Sequence, residues 1–253
     1  MYAEERHRVI AESAESEGRV EVGSLASSLG VTPETVRRDL SLLERRGVLR
    51  RTHGGAVPVG RLVPEREVSE RVEAMVAEKR RIAKAALEFV PERGTLLLDA
   101  GTTTGALAEM LPPDGELTVV TNSVPIAHTL SSNPSVTLFL TGGRVRGRTL
   151  ASVGEPATTF IKNLTPDVVF MAANGVSVEK GLTTPDMAEA TAKRAMVASG
   201  RRVVLLADHT KFGEEHFVKF AGIEAMDAII TDDGLSEDEA KKYEEAGIEV
   251  FRA

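Results

Sequence analysis

Cysteine is absent from all 253 residues, which excludes disulfides, thiolate metal sites and cysteine nucleophiles together. Long apolar runs are absent as well. None approaches the ~20 residues of a membrane-spanning helix, and the amino terminus, MYAEERHR, has no apolar core of the kind a signal peptide carries. A cytoplasmic protein without a membrane partner is therefore expected. Neither GxxxxGK[ST] nor GxGxxG occurs, which speaks against a nucleoside triphosphatase loop and a dinucleotide site. The five histidines, His7, His53, His128, His209 and His216, form neither HxxxH nor HExxH. No metal and no cofactor are expected.

What is present suits a soluble globular protein: 42% hydrophobic and 27% charged residues, and a length that fits one small and one large domain. The net charge of −7 argues at first against nucleic acid, but it is unevenly placed. Residues 1–60 hold nine arginines, no lysine and nine carboxylates, whereas the rest holds 22 cations and 29 anions. The acidity belongs to the larger part, and a basic face on the smaller one stays compatible with DNA, held in a salt-dependent way.

Such a face is legible in Thr32–Gly47, TPETVRRDLSLLERRG. Thr32 can cap a helix, Pro33 suits its first turn, and Glu34 favours the positive end of the dipole. Val36, Leu40 and Leu43 form one apolar stripe, leaving Thr35, Arg37, Arg38, Ser41, Glu44 and Arg45 on the other faces. Upstream, Leu25 and Leu29 mark a short helix that ends at Gly30, and Glu4–Glu17 reads as a helix that braces both. Arg19–Val22 reads as an extended link. Downstream, residues 47–57 carry Gly54-Gly55 where a hairpin would turn. The pattern predicts a winged helix-turn-helix, with the second helix in the major groove and arginines of helix and wing on phosphates.

Two prolines and a charge-rich run make residues 58–77 a linker between a DNA-binding domain over 1–57 and a second domain over 78–253. In the second domain helical segments alternate with apolar strands: 95–98, 117–120, 136–140, 167–171, 202–206 and 228–230. That alternation predicts a parallel sheet covered on both faces. Five strands are followed by small and polar residues: Asp99–Thr104, Thr121–Ser123, Thr141–Arg144, Ala173–Gly175 and Asp208–Lys211. Open α/β sheets bind ligands at this carboxyl edge. Thr102–Thr104 open a helix whose free N–H groups favour an anion, so phosphate is the obvious ligand. At 181–196, Thr184 and Pro185 are expected to start a helix on which Glu189 and Lys193 share a face. That spacing fits either a surface ion pair or a carboxylate and an ammonium that complement a polyol phosphate.

The run Glu34-Thr35-Val36-Arg37-Arg38-Asp39-Leu40, followed by Leu43, Gly47 and Arg51-Thr52-His53-Gly54-Gly55-Ala56, resembles the amino-terminal signature of the DeoR family of bacterial and archaeal transcriptional regulators. The resemblance continues over residues 78–233 in DAGTTT (99–104), TNS (121–123), TGGRV (141–145), SVGEPA (152–157), GLTTPD (181–186), LADHTKFG (206–213) and ITD (230–232). It implies an α/β protein: an N-terminal winged helix-turn-helix plus a larger Rossmann-like parallel-sheet sensor domain resembling ribose-5-phosphate isomerase.

The residues expected to meet operator DNA are Thr32, Thr35, Arg37, Arg38, Arg45, Arg50, Arg51 and His53. For a phosphorylated sugar or polyol effector the resemblance implies Asp99, Gly101, Thr102, Thr103, Asn122, Gly143, Arg144, Glu189, Lys193, Asp208 and Lys211. The wording at 144–154 and 216–232 is similar to regulators of fructose operons, which implies fructose 1-phosphate as inducer; glycerol 3-phosphate is an alternative. A homo-oligomer, dimer or tetramer, is expected because one helix and wing cover a single half-site. Two rival functions stay open at this point. One is a sugar-phosphate isomerase or deaminase with Asp99, Glu189 or Asp208 as base and Lys193 as helper. The other is a DNA-binding protein whose second domain only dimerises.

Overall fold

Thr32 does cap a helix: its hydroxyl accepts the Thr35 N–H at 3.3 Å, and the helix runs from Pro33 to Arg45. The computed structural model describes residues 3–52, 54–58 and 65–253, without the side chains at positions 15 and 50. These residues fall into two units. One is Met1–Glu65 with Phe212–Glu214, the other Arg66–Lys211 with Glu215–Ala253.

The first unit contains α1 (Ala3–Glu17), β1 (Val20–Glu21), α2 (Val22–Leu29), α3 (Pro33–Arg45), β2 (Leu49–Thr52) and β3 (Gly55–Pro58). Gly30 closes α2 at φ 64, in the left-handed region where glycine carries no Cβ penalty. Ile10, Ala14, Leu25, Val36, Leu40, Leu43 and Leu49 form its core. The stretch read as a plain link supplies β1, which pairs with β3 and gives an antiparallel sheet of order β1-β3-β2. Two residues are too few for periodicity to reveal, and their pairing is with residues 34 to 36 positions away in the chain.

The second unit starts with α4 (Val68–Glu73) and α5 (Val76–Ala86), both beginning inside the stretch read as a linker. Of that stretch, residues 59–64 lie outside the described residues. There follow β4 (Arg93–Leu98), α6 (Thr102–Met110), β5 (Glu116–Thr121), α7 (Val124–Leu130), β6 (Val136–Leu140), β7 (Arg144–Val145), β8 (Ser152–Val153) and α8 (Glu155–Lys162). The chain continues with β9 (Val168–Met171), β10 (Gly175–Ser177), β11 (Gly181–Thr184), α9 (Met187–Ser199), β12 (Arg202–Leu206), β13 (Val218–Ala221), β14 (Ala228–Thr231), α10 (Glu237–Glu245) and β15 (Glu249–Arg252).

Seven strands form one parallel sheet of order β15-β14-β12-β9-β4-β5-β6. Leu96, Leu98, Val119, Phe170, Val204 and Ile230 pack with Ile82, Leu107 and Ile126 in a single core. The alternate residues Leu97, Val169, Leu205 and Ile229 are also fully buried, outside that cluster, as strand alternation requires of a sheet covered on both faces. After β6 the chain crosses back to lay β9 on the other side of β4. The strand order therefore reverses between β4 and β9, where open α/β sheets leave a crevice. Two small sheets, β10-β11-β13 and the β7–β8 hairpin, are additions the sequence pattern does not reveal. Their strands have only two to four residues, too few for a period to show.

Candidate functional site

In the first unit, Arg37, Arg38, Arg45 and Arg46 all point into solvent from α3, and Thr32 is exposed with Thr35 half-buried beside it. Arg38 and Arg45 have no side-chain partner among the described residues. Arg37 reaches Glu34 at 3.3 Å on its own helix, a pairing worth little in water. The wing is tied to this helix: Glu44 accepts the Arg51 N–H at 2.9 Å, and the Arg51 guanidinium donates to the Ser41 hydroxyl at 3.1 Å. Helix and wing therefore offer their cations together. His53 and the Arg50 side chain lie outside the described residues.

Asp39 belongs to the same motif and does the opposite. It is buried and accepts two hydrogen bonds from Arg6, at 2.5 and 3.0 Å, while His7 Nε2 lies 2.8 Å from it. Burial alone would raise its pKa, but the bonds from Arg6 and His7 outweigh that and hold the carboxyl below the ordinary carboxylate value. The acid thus fastens α1 to α3 and takes no charge from the outer face. Spacing alone could have placed Asp39 beside Val36 and Leu40, but Arg6 is 33 residues away.

In the second unit the carboxyl edge of the sheet carries all five predicted loops. Asp99, at the end of β4, is completely buried, ion-pairs with Lys193 Nζ and accepts the Ala172 N–H at 3.0 Å. Burial pushes its carboxyl up from the ordinary range, against the pull of Lys193. Its Oδ1 has no hydrogen-bond partner in the structure. Lys193 also donates to the Ala172 carbonyl at 2.9 Å, so its ammonium bridges β4 and β9 at the point where the strand order reverses.

Glu189 and Lys193 are not a surface ion pair. Both are buried, and Glu189 instead takes Arg146 at 2.7 Å together with the Thr149 hydroxyl. Arg146 also lies 3.2 Å from Asp186. The start of α9 is corrected as well: Thr184 ends β11, and Asp186 is the cap, accepting the N–H groups of Ala188 and Glu189 at 2.9 Å. Sequence reasoning singled out Arg144, which is exposed, and passed over Arg146 two residues on. An arginine in a hairpin between two glycine-containing segments gives no local sign of a carboxylate partner 43 residues away.

Other motif residues turn out to hold the loops together. Asn122 accepts the Ala100 N–H at 2.9 Å and donates to the Ser152 carbonyl at 3.4 Å. Thr104 donates to the Asp99 carbonyl at 2.7 Å, and Thr103 is buried beside it. Asp208 accepts the Thr210 N–H at 3.1 Å and is itself buried; Lys211 beyond it is half-buried. At Gly101 a Cβ would meet the Ala172 Cβ at 2.6 Å, and at Gly143, φ 118, one would meet the Val153 carbonyl at 2.5 Å. Both glycines are needed for close approach of neighbouring segments. His209, beside this edge, is bonded to Asp232 at 2.6 Å, which raises its pKa.

Adjoining the edge is a cavity of about 380 Å³ lined by α4, α5, α6, α7 and the β7–β8 hairpin, a volume suited to a small molecule. Of the predicted effector residues only Gly101 and Thr102 line it, joined by Ser123, Thr149 and Lys79; Val68, Val72 and Ile126 form its apolar side. Asp99, Glu189 and Lys193 are spent in internal pairs. Among the described residues no group of three His, Asp or Glu side chains could hold a metal, and no helix is long and apolar enough to cross a membrane.

A helix-turn-helix with a wing and outward cations, joined in one chain to a parallel α/β domain with a ligand-sized cavity, defines a DNA-binding regulator with a sensor domain. Residues 6–60 match the DeoR-like helix-turn-helix domain and residues 74–233 the DeoR C terminal sensor domain; the chain belongs to the DeoR family. It is 41% identical over 248 residues to the HTH-type transcriptional regulator GlpR of Haloferax volcanii, covering 98% of this chain and 96% of that one. The uncharacterized HTH-type transcriptional regulator FruR of Bacillus subtilis is 35% identical over 232 residues, 92% of each chain. The glycerol-3-phosphate regulon repressor of Escherichia coli is 33% identical over 236 residues, again 92% of each. The chain is thus a DNA-binding transcriptional regulator with a sensor domain and not an enzyme, which removes the isomerase and deaminase reading.

Proposed function

We propose that this regulator represses a sugar-catabolism operon and leaves its operator when a phosphorylated sugar binds the second unit. The cavity at the carboxyl edge of the parallel sheet carries this reading, because it joins hydroxyl and backbone donors at the start of α6 with a nearby cation. Fructose 1-phosphate is the first candidate effector, on the wording of residues 144–154 and 216–232; glycerol 3-phosphate is the second, on the name of the Escherichia coli relative. Thr32, Thr35, Arg37, Arg38, Arg45, Arg50, Arg51 and His53 are proposed to meet DNA. Gly101, Thr102 and Lys211 are proposed to meet the effector, with Asp99, Asn122, Glu189 and Lys193 shaping the edge from beneath. A homo-oligomer presents two helix-and-wing modules to a repeated or palindromic site.

Thermal denaturation of the full chain against fructose 1-phosphate, glycerol 3-phosphate and fructose 6-phosphate tests the effector. A ligand at 100 times its Kd stabilises by ~2.7 kcal/mol, and the same compound should weaken binding to a DNA site that the protein itself selects from a random pool. If no phosphorylated sugar moves either measurement, the second unit is an assembly domain only.

A further inference from the structure

Lys79 is a buried cation with no carboxylate within ion-pairing distance among the described residues. The residue is 6% exposed, and its ammonium donates to two main-chain carbonyls, that of Arg71 and, at 2.6 Å, that of Ala74. Lys193, equally buried, has Asp99. Removing an ammonium from water without a counter-ion is costly, and burial pushes the Lys79 pKa down to about 8. The same side chain lines the cavity of about 380 Å³. Farther off, Asp208 and Glu78 favour its charge while Lys211 and Arg71 oppose it.

The two carbonyls belong to α4 and to the residue that closes it. Met75, next in the chain, holds φ 53, an uncommon conformation for a side-chain-bearing residue. At the other end of α4, the Val68 N–H donates to the Arg148 carbonyl at 2.9 Å, in the hairpin that Arg146 fastens to Asp186 and Glu189. Val68, Ser69 and Val72 of α4 wall the cavity. One short helix is thus clamped at one end by the hairpin and at the other by a cation, Lys79, that lines the ligand space alongside Arg80 and Glu109.

Resting on the reading of this cavity as a sugar-phosphate site, we propose that Lys79 is the counter-cation for the effector's phosphate, and that in turning to the anion it releases the last carbonyls of α4. Lys79 ties both carbonyls down, so α4 loosens when the ammonium leaves. The helix follows the DNA-binding part directly in sequence, so its release is a signal the chain can carry. The ligand gains an ion pair in one arrangement that it lacks in the other, which is the differential affinity a shift of population requires.

Hydrogen exchange on the full-length protein, alone and with fructose 1-phosphate, glycerol 3-phosphate or inorganic phosphate in separate arms, reads the amides of residues 69–75. Whichever probe binds should speed exchange there at least about tenfold. Lys79→Gln keeps a donor for the carbonyls but not the charge, and should weaken binding of that probe at least about tenfold. Lys79→Met should show fast exchange in α4 with no probe present. If it fails to fold, the parent and Lys79→Gln still decide the matter. A parent that binds a probe with α4 exchange unchanged, or a Lys79→Gln protein that binds it as tightly as the parent, overturns the role of Lys79 and leaves the proposed function standing. A parent that binds none of the three overturns both.

Discussion

Charge is used in opposite ways in the two units. In the helix-turn-helix the motif arginines Arg37, Arg38 and Arg45 stay in water, where each contributes almost nothing to folding and is free for a polyanion. In the sensor the motif charges Asp99, Glu189 and Lys193 are buried and answer to one another or to Arg146. An exposed charge adds affinity that salt can screen. A buried one fixes geometry, and losing its partner leaves an ion stranded in a poor solvent. Asp39 marks the border between the two uses: one residue from Arg38 on the same helix, it is buried against Arg6.

The comparison breaks first, if at all, at Lys193. Lys193→Met strands Asp99 and should cost ~3–5 kcal/mol in urea denaturation. The double variant Lys193→Met, Asp99→Asn should recover part of that loss, because no charge is then left unpaired. A cost below about 1 kcal/mol would mean that this pair behaves as a surface pair does.

Neighbouring residues on α3 should separate cleanly. Asp39→Ala removes charge-assisted hydrogen bonds and should lower stability by ~1.5–3 kcal/mol. Arg38→Ala should leave stability within about 0.5 kcal/mol and weaken operator binding by ~1–3 kcal/mol. If Arg38→Ala unfolds the domain, or Asp39→Ala leaves it as stable as the parent, inward and outward charge have been assigned the wrong way round. Arg51→Ala in the wing should weaken binding to all sequences alike and flatten the slope of affinity against salt by about one.

The smallest effect concerns pH. The bond to Asp232 raises the His209 pKa above its ordinary 6.5, so this contribution is complete below that value and fades as pH rises through the folded one. Asp232 is held below its ordinary 3.8, chiefly against burial by its bonds from His209, so its share is complete above 3.8 and fades as pH falls through the depressed value. Between those two ordinary values the pair is worth most. His209→Gln should therefore show its largest deficit in melting temperature in that window, and a shrinking one towards alkaline pH. A deficit that does not change with pH would show that His209 contributes only as a neutral hydrogen-bonding residue.

By itself the sequence determined the helix-turn-helix and six of the seven strands of the parallel sheet, missing β15, because caps, glycine stops, a 3.6-residue apolar stripe and unbroken apolar strands are local signals. Thr32, Gly30 and the run from Leu96 to Leu98 need no distant partner to be read. It also located the carboxyl edge, since in a parallel sheet every loop after a strand falls on one side. What only the tertiary structure decided is which polar residues are available there. Asp99 meets Lys193 across 94 positions and Arg146 meets Glu189 across 43, distances over which residue type and spacing say nothing about contact. The same holds for Lys79, an ordinary lysine in a helical, charge-rich run until the fold buries it beside a cavity, bonded to two carbonyls and, among the described residues, to no acid.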